Sequence, residues 1–143
     1  MKISIGSDHA GFVLKSKLIE YLKGINHEIF DKGPNNEERV DYPDYAHKLV
    51  QSILSNETEL GVLICGSGNG ISMAANKHND IRAALCWNKE IATLARNHNN
   101  ANIVSLPARF ISFEEAKIII DSFLSSSFEG GRHLNRVNKI NCE

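Results

Sequence analysis

The chain has 143 residues, with 16 Lys and Arg against 17 Asp and Glu for a formal net charge of -1. That length fits one compact domain, and a 42% hydrophobic, 23% charged composition excludes a disordered chain. The balanced charge, without any Lys/Arg block, excludes the field of a nucleic-acid binder. No run approaches a membrane span or a signal-peptide core, so no membrane partner and a cytoplasmic location are expected. Cys65, Cys86 and Cys142 are too few and too scattered for a disulfide framework. Without C-x-x-C or H-E-x-x-H spacing there is no usual zinc pattern either.

Along the chain, short β-rich segments alternate with longer helical ones. Lys2 to Gly6 reads as a strand, followed by Phe12, Leu14, Leu18, Ile19 and Leu22 at helical spacing. His27 to Asp31 reads as a second strand. The polar loop Lys32 to Asp41 is the longest insertion and is placed to border a cleft. Tyr45, Leu49, Ile53 and Leu54 mark the next helix. Leu60 to Cys65 is almost wholly apolar, as suits a strand of a parallel sheet covered on both faces. A helix over Ile71 to Lys77, a strand over Ile81 to Cys86, a helix from about Lys89 and a strand over Asn102 to Leu106 follow. The last long helix, Ala116 to Leu124, is opened by Ser112 and Glu115 as a capping box. Ser125 to Ser127 break the pattern, and Gly130 to Ile140 reads as a short basic helix reaching away from the core. Five βα units in this order predict an α/β fold. Its form is a three-layer α/β/α sandwich on a five-stranded parallel sheet, one domain over 1–143 with a C-terminal helical arm from 125.

Ligands of such sheets gather at the carboxyl ends of the strands, which selects the loops SDHAG, CGSGNG and SLPAR. In Cys65-Gly66-Ser67-Gly68-Asn69-Gly70-Ile71, alternate glycines let backbone N–H groups converge on a bound oxygen at a helix start. It is neither a Walker loop nor a dinucleotide fingerprint, since Ile71 stands where the third glycine belongs. N–H donors beside Cys65 favour a thiolate acting as base or nucleophile, but a buried structural cysteine before a glycine turn fits the residues equally well. Asp8 reads as a cap for the helix beginning near Ala10, and His9 as an anion or hydroxyl ligand. His98 at a helix C-terminus is often only a dipole partner. His27, His47 and His78 read as unremarkable surface residues. Arg132 and Arg136, four apart, would share one face of a helix and clamp a phosphate, although spacing alone favours a solvated basic tail. With Arg109 near the ligand edge, three arginines in a nearly neutral protein suggest a small anionic ligand.

Taken together, SDHAG, DKG, DYPDYA, LICGSGNGISMAANK, IRAALC, ARNHNNAN and EGGRHLNRV make the chain resemble the type B ribose-5-phosphate isomerases and their galactose-6-phosphate isomerase relatives, nearly end to end. The resemblance implies a Rossmann-like fold, a homodimer or dimer of dimers with its active site at the subunit interface, and no metal or organic cofactor. It makes Cys65 the base that moves a proton between carbons 1 and 2 of a sugar phosphate. The Gly66, Ser67, Gly68, Asn69 and Gly70 loop would hold the enediolate oxygen. Ser67, where many relatives carry threonine, would pass protons between substrate oxygens. The resemblance further makes His98 the acid that opens the furanose ring, Asp8 and Asn99 ligands of sugar hydroxyls, and His9, Arg109, Arg132 and Arg136 the phosphate site. Tyr42 would line the cleft.

Two other functions compete. A six-carbon sugar phosphate (galactose or allose 6-phosphate) would use the same machinery, though the galactose enzyme pairs two different subunits and this chain carries the full residue set alone. A non-catalytic sugar-phosphate or nucleotide-binding module would need the glycines but not the thiol.

Overall fold

The computed structural model describes residues 1–141, so Cys142 lies outside the described residues. Strands β1 (Lys2–Ser7), β2 (Glu28–Asp31), β3 (Leu60–Cys65), β4 (Ala83–Leu85) and β5 (Ile103–Pro107) form one sheet in the order β2-β1-β3-β5-β4. Every pairing is parallel. Helices α1 (Phe12–Gly24), α2 (Tyr42–Leu54), α3 (Asn69–Ala75) and α4 (Lys89–Asn99) connect them, and α5 (Phe113–Ser125) follows the last strand, as the alternation of segments predicts.

The layers follow from the two-residue period of the strands. Ile3, Ile5, Val62, Ile64, Val104 and Leu106 turn to one face, where Leu18 and Leu22 of α1, Ala92 and Ala95 of α4, and Ile119, Ile120 and Phe123 of α5 cover them. Leu63, Cys65 and Ile103 turn to the other face, against Ala46, Leu49 and Val50 of α2 and Ile71 and Ala75 of α3. β3 is buried along its whole length, which explains its unbroken apolar run.

Several boundaries differ from expectation. β4 is three residues rather than six, because Arg82 leaves the ladder: its N–H donates to the Asn102 side-chain oxygen at 2.8 Å. α1 begins at Phe12 rather than Ala10, because Asp8 Oδ1 accepts from the Gly11 N–H at 2.9 Å and holds a turn ahead of the helix. α3 begins at Asn69, two residues early. The terminal segment is not one helix from Gly130. A 3-10 turn over Gly131–His133 runs into a four-residue helix, α6 (Leu134–Val137). Nor does it simply reach away from the core. The Glu129 N–H donates to Asn97 O at 3.0 Å, and Asn141 Nδ2 donates to Asp80 Oδ1 at 3.0 Å, which returns the arm to the body of the subunit.

The α5 capping box forms as read: Ser112 Oγ accepts from the Glu115 N–H at 3.1 Å, and Glu115 Oε2 from the Ser112 N–H at 2.6 Å. The Ser112 amide and hydroxyl hold the Glu115 carboxyl below its usual range. Ser112→Ala is expected to lower unfolding stability by about 1 kcal/mol, read as a shifted denaturant midpoint with unchanged activity. Because the carboxyl is depressed in the folded state, its contribution is complete at neutral pH and fades as pH falls through the folded value. Among the described residues, no helix is long and apolar enough to cross a membrane.

Candidate active site

The carboxyl ends of β1, β3 and β5, the three central strands, gather one group of the expected residues. Cys65 is the last residue of β3, 5% exposed, and its Sγ accepts the Gly68 N–H at 3.2 Å. Gly68 reaches that position with φ 76° and ψ -10°, the left-handed region that a Cβ disfavours. Its carbonyl accepts from buried Ser105 Oγ at 2.9 Å, fixing the turn from the β5 side. Ser67 and Asn69 are exposed at the loop tip, where Ser67 Oγ accepts from the Asn69 N–H at 3.3 Å. Tyr42 closes one flank: its ring carbon lies 2.5 Å from where a Gly70 side chain would begin, so only glycine lets the two meet. The Arg109 guanidinium lies over Gly66 in the same way, and the Arg109 N–H donates to Gly66 O at 3.1 Å.

Asp8 and His9 border this loop from β1. Asp8 is 8% exposed and ties its N–H to Ile64 O at 3.1 Å, one residue before Cys65. One carboxylate oxygen takes the Gly11 N–H, so Asp8 holds the turn before α1 and does not cap the helix itself, and the other has no hydrogen bond among the described residues. His9 Nδ1 accepts from the Val40 N–H at 3.4 Å, which places the proton of the neutral ring on Nε2. The Lys32 to Asp41 loop thus does border the cleft. Buried Lys15 anchors it, with Nζ 2.6 Å from Asp31 Oδ1 and 2.7 Å from Pro34 O.

The remaining candidates lie at the other edge of the sheet. α4 runs antiparallel to the strands, so His98 and Asn99 at its C-terminus sit where β3, β4 and β5 begin. There Arg82 Nε donates to Asn100 O at 2.9 Å and the Gly61 N–H donates to Asn102 O at 2.9 Å. The His98 ring stacks on His133, centroids 4.1 Å apart and 12° from parallel, with Glu129 beside both. Burial, then the charges of His98 and Arg132, push the His133 imidazole below its ordinary value, against the pull of Glu129. Arg132 and Arg136 are exposed, and Arg136 Nη1 donates to Arg132 O at 3.2 Å. β3 separates Gly61 from Cys65 by four residue steps, roughly 13 Å at about 3.3 Å each. One subunit therefore does not bring the two groups together. A concavity of about 500 Å³ lies at the second group's edge. Asn76, His78, Arg82, Asn99 and Asn141 line it, and the thiol is absent from it.

Four residues escaped the sequence reading. Glu129 and His133 carried no role there, although E-G-G-R-H spaces them four apart. His47 and His78, read as unremarkable, meet with Nδ1 and Nε2 2.8 Å apart. Nothing in a spacing of 31 residues signals that contact. Cys86 has no place at either edge. It is fully buried, and burial pushes its thiol up to about 12.

A family model described as Ribose/Galactose Isomerase matches residues 3–140. Ribose-5-phosphate isomerase B of Escherichia coli (strain K12) is 43% identical over 139 residues, 97% of this chain and 93% of the relative. A crystal structure of a ribose 5-phosphate isomerase from Thermotoga maritima is 57% identical, with a TM-score of 0.96 over 97% of this chain and 96% of that one. The crystal structure of ribose-5-phosphate isomerase B from Mycoplasma genitalium with bound ribulose-5-phosphate is 44% identical, with a TM-score of 0.93 over 97% and 93%. A glycine loop behind a strand-end thiol, on a sheet that superposes on these enzymes along its whole length, leaves one assignment: this chain belongs to the ribose/galactose isomerase family.

Proposed function

We infer that this protein is an aldose–ketose isomerase that interconverts ribose 5-phosphate and ribulose 5-phosphate. The observation that carries the inference is the Cys65 sulfur facing the Gly68 amide in a chain whose M. genitalium relative holds ribulose 5-phosphate. The two sugars differ only in the placement of two protons, so a base, an oxyanion site and a proton shuttle suffice. The Cys65 thiolate takes the proton from carbon 2 of the open-chain aldose and leaves an enediolate, then returns it to carbon 1. The N–H groups of Gly66 to Gly70 face the oxygen on which charge develops. Ser67, exposed at the loop tip, moves the hydroxyl proton from oxygen 2 to oxygen 1.

His98 serves ring opening, Asp8 and Asn99 bind hydroxyls, and His9, Arg109, Arg132 and Arg136 bind phosphate. Those roles need residues from both edges of the sheet at one substrate, so we propose a homodimer, singly or paired as a tetramer. His98, Asn99, Arg132 and Arg136 of one copy would complete the cleft around Cys65 of the other. The position of these four on an exposed arm and a helix end supports this arrangement, because those elements are free to meet a second copy.

The test is isomerisation of ribose 5-phosphate by EDTA-treated protein, beside allose 6-phosphate and galactose 6-phosphate. Turnover of the five-carbon sugar is expected to dominate and to survive EDTA. Turnover of only a six-carbon sugar would transfer the same machinery to that substrate. Silence on all three would leave a sugar-phosphate-binding module.

A further inference from the structure

The carbonyls of the loop after β3 are drawn to one side by three hydrogen bonds, all from β5 and the turn behind it. Cys65 O accepts from the Ala108 N–H at 2.9 Å, Gly66 O from the Arg109 N–H at 3.1 Å, and Gly68 O from Ser105 Oγ at 2.9 Å. In a trans peptide the carbonyl and the next residue's N–H point opposite ways, and these three peptides are trans. Holding the carbonyls on β5 therefore turns the N–H groups of Gly66, Ser67 and Asn69 away from it. The first two meet no acceptor among the described residues, and the third meets the exposed Ser67 hydroxyl at 3.3 Å. Such groups are the donors that a developing enediolate oxygen needs.

Two of the three bonds come from backbone amides. The third comes from a side chain, on the one hydroxyl-bearing residue of β5 (IVSLP). Ser105 is fully buried, in register with Leu63 of β3 and Leu85 of β4. A hydroxyl there costs free energy unless it is bonded, a demand that alanine would not make. Its bond reaches the N-cap residue of α3, at φ 76°, where a glycine brings little rigidity of its own. An N-cap carbonyl also takes the first bond of its helix, which aligns it with α3. The Ser105 hydroxyl then fixes that helix start against the sheet.

We propose that Ser105 is a positioning residue for the isomerase: its hydroxyl holds the Gly68 carbonyl toward β5 and so keeps the loop amides aimed at the substrate and the Gly68 N–H on Cys65. The inference rests on the isomerase reading above. Ser105 keeps its own proton and acts only through the loop. Its removal leaves the thiol and every amide donor present and loosens their aim. Turnover therefore falls, while ground-state binding, carried by the residues proposed to hold phosphate and hydroxyls, persists.

The test compares Ser105→Ala with Ser4→Ala in the full-length protein, by denaturant unfolding and by steady-state kinetics on the sugar phosphate that the wild type turns over. Ser4 is an equally buried strand serine whose hydroxyl donates to Leu60 O at 3.5 Å, at the end of the sheet remote from Cys65. Both variants are expected to fold, with similarly lowered midpoints. Ser105→Ala should lower kcat roughly tenfold, short of the 10²–10³-fold cost of deleting an oxyanion donor outright, with KM within about twofold of wild type. Ser4→Ala should keep both constants. A kcat reduced no further by Ser105→Ala than by Ser4→Ala, or a raised KM with kcat unchanged, overturns the positioning role while the isomerase reading stands. A wild type silent on ribose 5-phosphate and on both six-carbon sugars overturns that reading, and the inference with it.

Discussion

Cys65→Ala is expected to lower ribose 5-phosphate turnover by roughly 10²–10⁴-fold, the span a positioned acid–base group supplies, while a phosphate-bearing ligand still binds. The two effects separate because the thiol sits on β3, whereas the residues proposed to bind phosphate come from the loop after β1, the loop after β5 and the arm. The sulfur is 5% exposed and accepts one amide bond. Truncation to alanine therefore removes a reacting atom and little packing. Steady-state kinetics beside calorimetry with ribulose 5-phosphate decides the matter: a lost turnover with retained affinity fits the base, and equal loss of both makes Cys65 structural. Cys86 supplies an internal contrast, since burial pushes its thiol up to about 12 and it is expected to resist alkylating reagents at mildly alkaline pH.

Gly68→Ala is the second large effect. An L-residue in the left-handed region costs about 1–2 kcal/mol, and here the added Cβ would lie 2.4 Å from Leu85 Cδ1 and 3.2 Å from the Leu106 carbonyl carbon. The leucine methyl can move, but the β5 backbone is held in the sheet by β3 and β4. Relief must come from the loop, which carries the N–H on Cys65 and the carbonyl on Ser105. Turnover is expected to fall at least tenfold in a variant of lowered but measurable stability. Ser67→Ala, on an exposed neighbour, should leave stability within a few tenths of a kcal/mol. Wild-type kinetics and stability for Gly68→Ala would show that the turn does not set the site.

Much of this was legible in the residues. The apolar run of β3 named a doubly covered strand, and its neighbours followed by alternation. Ser112 and Glu115 named a helix start because a capping box is local chemistry. The extent of β4 was not legible, because what shortens it is an Asn102 side chain twenty residues away. The α1 start was misplaced for a similar reason: Asp8 caps a turn, and the helix waits for Gly11. The arm misled most. Basic residues at a spacing of four suggest a helix, yet paired glycines at φ 66° and 52° bend the chain into a 3-10 turn and bring His133 under His98. No spacing signals a cluster assembled from three segments, nor that β3 would set His98 and Cys65 on opposite edges of one sheet.

That separation makes the shared site the central claim, and mixing two inactive variants tests it most directly. Cys65→Ala subunits lack the proposed base, and His98→Asn subunits lack the proposed ring-opening acid. In a mixed two-fold dimer one cleft carries both lesions and the other carries neither. Co-refolded in equal amounts, half the dimers are mixed and each has one intact site of two, so roughly a quarter of wild-type activity should return. If the mixture stays as inactive as its parents while a mixed dimer is present by native mass spectrometry, each cleft is built from a single subunit and the shared site is wrong.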